Sequence, residues 1–236
     1  MSYITIDKVK ELAPFAHLAI TTKEVNSKDI QDLRRVFTIN DFNLDNLTSN
    51  IQIHSDIVHS VNTETVGMKR EGDALVTNLK NVPLLVFTAD CVPVALIDGK
   101  NKVIGVAHAG WRGTYEEIAK KTVLKMKEEH GSNPEDIIAV IGPSIGECCY
   151  QVSEDLYNKF KDRFNTTNYE LYSIKEDSFY LNLQNINKYS LKFCGVKDEN
   201  IINTAICTSC NNDKFHSYRM HNKTDKRIGL LLEIRN

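Results

Sequence analysis

Three side chains in the middle of the chain could together hold a metal ion: His54, Cys91 and His108. Gaps of 37 and 17 residues separate them, too long for one local loop, so three element ends must converge in the fold. Two imidazoles and a thiolate make a zinc donor set, and three protein ligands leave a fourth position for water or substrate. The plainer alternative is two ordinary polar histidines and a cysteine acting as a small buried hydrophobe. Asp90 weighs against it. A carboxylate inside the apolar stretch from Val82 to Ile97 costs several kcal/mol unless it is paired. In an extended chain Asp90 points away from Cys91, which makes it a supporting group and not a ligand.

The segment His108-Ala109-Gly110-Trp111-Arg112-Gly113-Thr114 is the strongest local signal. A histidine closes a strand, two glycines allow tight backbone, and a helix begins. Free N–H groups at a helix start bind anions, and Arg112 adds a planar cationic fork, so Arg112, Gly113 and Thr114 are candidates for holding phosphate. A plain strand-to-helix turn with a surface arginine is the competing reading. Cys207-Thr208-Ser209-Cys210 is a lone Cys-x-x-Cys, and without a second pair it reads as structural or incidental. Phe215 to Arg219 packs aromatic, polar and basic residues together, with an edge strand as the simple reading and Arg219 as a further candidate cation. His17, His59, His130 and His221 have no partner spacing and read as solvated.

The elements that must position these residues follow from periodicity. Strands are expected over Ile51 to Val61, Ala74 to Leu79, Val82 to Phe87, Val92 to Ile97, and Lys102 to Ala107 after a Gly-Lys-Asn turn. A helix is expected from Thr114, whose spacing to Glu117 matches a capping box, to Gly131 as its C-terminal cap. Asp136 to Ile141 is a strand, Ser153 starts a second helix, and Leu183 to Phe193 forms a third, closed by Gly195. Ile201 to Ile206 and Ile228 to Ile234 finish as strands. Several strands follow one another directly, which favours an α/β domain with mixed sheets over a strictly parallel one. No repeat or Pro/Gly/Ser linker divides the chain, so one domain over residues 1–236 is expected.

Composition sets outer limits. Hydrophobic residues are 42% and charged residues 25% of 236, an ordinary globular balance, and size scaling gives a folded surface of about 11,000 Å². The formal charge is −2, which excludes a broad electrostatic nucleic-acid binder but not a local basic site. No run reaches the roughly 18 apolar residues of a membrane span, and the start lacks the pattern of a signal peptide. The six cysteines therefore read as free thiols of a cytoplasmic protein. On that reading the Asn-x-Thr sequons at Asn46, Asn165 and Asn222 are chance.

Taken together, Gln52-Ile53-His54, Asp73-Ala74-Leu75-Val76-Thr77, Thr88-Ala89-Asp90-Cys91-Val92-Pro93-Val94, His108 to Gly113 and Ile141-Gly142-Pro143-Ser144-Ile145-Gly146 resemble the laccase-domain or polyphenol oxidase family. That family is now described as purine nucleoside phosphorylases of the laccase-domain-containing type. Cys207-Thr208 and Phe215 to Arg219 fit it as well. The resemblance implies a four-layer α/β/β/α fold and zinc held by His54, Cys91 and His108. It also implies phosphorolysis of adenosine, inosine, guanosine and methylthioadenosine, with hydrolytic deamination of adenosine. The expected partners are thus small purine nucleosides and phosphate, with no nucleic acid and no membrane. Before Gln52 the match weakens. Where the family carries Arg-x-Gly-Gly-x-Ser, this chain has Thr21 to Ser27, with Lys23 in place of the arginine and no glycines. Lysine is a point charge and not a fork.

Zinc deaminases pair their ligands with the Glu of a His-x-Glu motif, which this chain lacks. Asp73 and Asp90 are the remaining candidates for proton transfer. Two rival functions stand beside the nucleoside reading. A copper-dependent polyphenol oxidase would need several imidazole-ligated metals, and the chain has seven histidines with no His-x-His pair, although copper could replace zinc at one site. A non-catalytic zinc module would close its site with a fourth ligand.

Overall fold

A computed structural model of the chain describes residues 1–165 and 170–235; the sequon starting at Asn165 runs into residues outside that description. The elements are β1 (Tyr3–Ile4), α1 (Asp7–Leu12), β2 (Ala16–Thr21), α2 (Ile30–Val36), β3 (Val58–Ser60), β4 (Ala74–Thr77), β5 (Leu84–Thr88), β6 (Val92–Asp98), β7 (Val103–Ala109), α3 (Trp111–Tyr115), α4 (Ile118–His130), β8 (Ile137–Ile141), β9 (Gln151–Val152), α5 (Glu154–Arg163), β10 (Tyr172–Lys175), β11 (Ser178–Leu181), α6 (Leu183–Phe193), β12 (Ile201–Asn203) and β13 (Ile228–Ile234).

Two main sheets lie face to face. One has the order β12-β8-β6-β7-β4-β3 and the other β1-β2-β13-β5, with a small β10-β11-β9 sheet beside them. The large sheet is mixed: β3 with β4 and β12 with β8 are parallel, and the rest antiparallel. Its central strands are apolar on both faces, as a doubly covered sheet requires. Val94 and Leu96 of β6 face the helices, against Met126 of α4, Phe160 of α5 and Ile186 of α6. Ala95 and Ile97 face the second sheet, against Leu84, Leu230 and Leu232. The outer face of that second sheet packs Leu231 and Ala19 on Leu33 of α2 and on Phe37 and Phe42. The layers are therefore helix, sheet, sheet, helix, an α/β fold with mixed sheets.

The structure alters several expectations. Ile51 to Val61 is regular only at β3. His54 sits in a loop with φ +59°, and Ile51 makes one isolated bridge to Glu71. Histidines interleaved with apolar residues imitated a strand there. β5 and β6 enter different sheets, β5 beside β13 and β6 between β7 and β8; Asp90 makes the crossing at φ +83°. The helix begins at Trp111 and breaks at Glu117, which is left-handed at φ +59°, before α4. No capping box forms: the Thr114 hydroxyl donates to the Ala109 carbonyl and accepts from Asn187. Ile201 to Ile206 is a strand only to Asn203, and Phe215 to Arg219 is a turn and not an edge strand. His17, His59, His130 and His221 are half-buried rather than solvated. Among the described residues no helix is long and apolar enough to cross a membrane.

Candidate metal centre and its cleft

His54, Cys91 and His108 converge. One ligand atom from each lies within 4.8 Å of the others. His54 Nε2 is 3.9 Å from Cys91 Sγ, and the two imidazoles meet edge to face at 4.9 Å. His108 ends β7, Cys91 ends the crossing between the sheets, and His54 comes from the loop before β3. Gly110 makes room for them. A Cβ there would lie 2.8 Å from His54 Cδ2 and 3.2 Å from Cys91 Sγ.

Asp73, at the foot of β4, organises two of the three ligands. Its carboxylate accepts from the backbone N–H groups of Ile53, His54 and Ser55 and from the Ser55 hydroxyl. That network holds the loop in its left-handed turn. The same carboxylate lies 2.8 Å from His108 Nδ1, leaving Nε2 to face the centre. A carboxylate behind a ligating imidazole fixes its tautomer and raises its basicity. Burial pushes the Asp73 carboxyl up, but His108 and Ser55 hold it at about 2. Asp73 has no exposed surface, so it positions ligands.

Burial likewise pushes the Cys91 thiol up. The His108 charge and hydrogen bonds from His108 and His54 outweigh it and bring its pKa to about 6. His108 is driven the other way: burial opposes its charge, and Cys91 and Asp73 raise it to about 9. Both directions favour a thiolate paired with an imidazolium, whose proton a cation can replace. Two imidazoles and a thiolate, with space between them and a buried carboxylate behind one, fit a transition metal of borderline softness.

Asp90 is buried and faces away from the ligands. It accepts from the Thr208 hydroxyl at 2.6 Å, the Ser217 hydroxyl at 3.1 Å and the Arg219 N–H at 2.7 Å. It therefore ties the segment 208–219 to the residue next to Cys91. All three donors lie more than a hundred residues away in sequence, which is why its partners could not be read there.

The centre opens into a cleft of about 990 Å³. Five cationic side chains line it, Lys28, Lys69, Arg112, Arg219 and Arg227, against the single carboxylate of Asp90. Arg112 stacks on the Trp111 ring at 4.4 Å. The Arg219 guanidinium donates to the Cys149 and Gln151 carbonyls. Apolar surface comes from Ile51, Phe87, Ile145 and Leu183, with Tyr150 and Tyr218 also on the wall. Burial, then the nearby Cys91 charge, pushes the Tyr150 phenol up, so it stays a neutral donor.

Of the phosphate candidates, Arg112 and Arg219 reach this cleft. Gly113 and Thr114 are buried behind it: a Cβ on Gly113 would meet the Ser55 carbonyl at 3.0 Å, and the Thr114 N–H is spent on the Gly110 carbonyl. The anion argument therefore rests on side-chain cations and not on a helix start. Lys23 also points elsewhere, its ammonium on the Asn212 carbonyl. Lys28, Lys69, Arg227 and Tyr150 escaped the sequence reading because isolated cations and a tyrosine carry no local pattern.

Fold and centre together define a four-layer α/β protein with a His/Cys/His metal-type site at the wall of a cationic cleft. The chain belongs to the family described as multi-copper polyphenol oxidoreductase laccase, whose model matches residues 12–233. It is 36% identical over 213 residues to a purine nucleoside phosphorylase of Clostridium acetobutylicum, covering 89% of this chain and 83% of that protein. It is also 36% identical over 148 residues to the adenosine deaminase RL5 of an unknown prokaryotic organism, covering 62% of this chain and 56% of that one. The hypothetical protein YfiH of Bacillus licheniformis superposes with a TM-score of 0.88 at 27% identity, covering 99% of this chain and 97% of that one.

Proposed function

We propose that the protein is a zinc-dependent purine nucleoside phosphorylase that also deaminates adenosine hydrolytically, acting on adenosine, inosine, guanosine and methylthioadenosine. The observation that carries this reading is the five cations of the cleft set against one already hydrogen-bonded carboxylate, beside the His54, Cys91 and His108 centre. A dianionic co-substrate suits that field, and a neutral phenol gains nothing from it. The names of the relatives in Clostridium and of RL5 point the same way.

In phosphorolysis a phosphate oxygen forms a bond to C1′ of the ribose as the bond from C1′ to the purine nitrogen breaks. The leaving purine takes up a proton. Arg112 and Arg219 hold the phosphate, Arg112 through a fork positioned over the Trp111 ring, and Lys28, Lys69 and Arg227 set the surrounding potential. The apolar wall of Ile51, Phe87 and Leu183 receives the base, and Tyr150 donates a hydrogen bond to bound substrate. His54, Cys91 and His108 would hold the zinc, with Asp73 orienting His108. When bound, the ion supplies Lewis acidity, polarising oxygen and lowering the pKa of water. The deaminase activity uses the same nucleoside position without phosphate.

Chromatography of products from adenosine, with and without phosphate, tests the reading. Adenine and ribose 1-phosphate are expected with phosphate, and mainly inosine without it. Oxygen uptake with a phenol, together with no nucleoside turnover, would replace this reading by the copper oxidase.

A further inference from the structure

Away from the cleft centre, the fold brings four thiols together. Cys148 and Cys149 lie on the turn after β8, and Cys207 and Cys210 on the loop after β12. Their sulfurs all lie within 4.8 Å of one another. Cys210 Sγ is 3.4 Å from Cys148 Sγ and 3.4 Å from Cys149 Sγ. A tetrahedral zinc with Zn–S bonds of about 2.3 Å separates its sulfurs by about 3.8 Å. We propose that Cys148, Cys149, Cys207 and Cys210 form a second metal site, a closed tetrathiolate site for zinc.

The backbone around the cluster is built as thiolate sites are. Cys207 Sγ accepts from the Gly146 N–H at 3.2 Å and from the Cys210 N–H at 3.4 Å. Donors directed at a sulfur favour its anionic form, the form that binds metal. Gly146 lets the two loops touch: a Cβ there would lie 3.1 Å from Cys207 Cβ and 3.2 Å from Cys148 Sγ. The loops are registered by the Ser144 N–H on the Ile206 carbonyl and the Thr208 N–H on the Ser144 carbonyl. Gln184 locks the same point, donating to the Ser144 hydroxyl and the Ile206 carbonyl. These bonds hold the two loops, and with them the four sulfurs, near one another. Four soft sulfur donors select zinc or iron over hard cations, and four protein ligands leave no open position, so the site is structural. Binding expels the thiol protons to solvent and changes no oxidation state.

The site has a use. Cys149 and Gln151 supply the carbonyls that hold the Arg219 guanidinium, and Tyr150 stands between them. An ion here would brace Tyr150 and Arg219 at the cleft wall. That consequence rests on the proposed function; the metal assignment does not.

Elemental analysis and native mass spectrometry test the assignment on full-length protein made in zinc-supplemented medium and purified with reductant. About two zinc ions per chain are expected, one at each site. Zinc content should fall by about half in Cys207→Ser/Cys210→Ser and by about half in Cys91→Ala, independently. If the double variant does not fold, Cys148→Ser, at an exposed position, serves in its place. On the wild type, zinc should shield Cys148, Cys149 and Cys210 from alkylation relative to chelator-treated protein, while Cys194 alkylates alike in both. Unchanged zinc content in Cys207→Ser/Cys210→Ser or in Cys148→Ser, equal alkylation with and without zinc, or a peptide disulfide joining the two loops would each overturn the proposal. Failure of the nucleoside assays would leave these readouts untouched.

Discussion

At the level of single residues, glycine and arginine carry the sharpest tests. Gly110 has φ −67° and ψ 178°, which alanine adopts without strain, so within the folded protein Gly110→Ala acts through its added methyl. The added methyl would press on His54 and Cys91. Zinc affinity should fall about 10- to 100-fold, as when groups supporting metal ligands are lost. The metal-free stability should move by less than about 1 kcal/mol, because His54 is exposed and can swing aside. A competitive chelator titration reads the first, urea unfolding the second, and unaltered affinity would refute the spacing argument. Arg112→Ala should lower phosphorolysis about 10- to 100-fold, from charge-assisted contacts of roughly 1.5–3 kcal/mol. Arg112→Lys should recover only part of it. Deamination should fall less, and equal losses with normal zinc would move Arg112 from phosphate to nucleoside. His54, Cys91 and His108 were legible because their side chains are scarce and chemically particular. The cleft cations were not, since Lys28 and Arg227 look like any surface charge until the fold turns them inward.

Among the elements, the hairpin between β6 and β7 shows how a buried carboxylate secures a turn. Asp98 accepts from the Lys100 and Asn101 N–H groups and from the Asn101 side chain. Burial pushes its carboxyl up, and these bonds, with Ser132 nearby, outweigh it, so its pKa lies below the ordinary value. A carboxylate depressed in this way stabilises the fold above its unfolded pKa of about 3.9, and the contribution is lost as pH falls through the lower folded value. Asp98→Ala should therefore cost about 1–3 kcal/mol at neutral pH, with the deficit narrowing below about pH 4. Urea midpoints across that range check it, and a deficit independent of pH would contradict it. The hairpin itself was readable from its Gly-Lys-Asn turn, as were α5 from Ser153 and α6 from its apolar spacing. The start of α3 was misplaced because Thr114 and Glu117 have the spacing of a cap while Thr114 is committed to Ala109. β2 was not foreseen, although it pairs with β13 in the middle of its sheet.

For the whole molecule, the strand pattern showed mixed sheets, but which strand joins which sheet depends on pairings far apart in sequence. β5 and β6 are adjacent in the chain and part company at Asp90, a choice made by β13 from the far end. The accessible surface of 10608 Å² is close to the about 11,000 Å² that size scaling gives, the compactness of an ordinary globular domain. The large sheet also decides when the ligands can meet. Cys91 and His108 flank the β6–β7 pairing, where Val92 lies opposite Ala109, and the His54 loop hangs on Asp73 beside β4 of the same sheet, so the ligand set exists only once these strands have been brought into register. On the proposed reading, zinc at the cleft centre would act as a latch fitted after the door has shut: it should leave the rate of folding unchanged and slow only unfolding. Free zinc at a hundred times its Kd adds about 2.7 kcal/mol, and that gain should appear as an unfolding arm lowered about 100-fold in rate. Stopped-flow folding of the wild type against Cys91→Ala measures both arms, and a faster folding arm with zinc would place the centre in the folding nucleus instead.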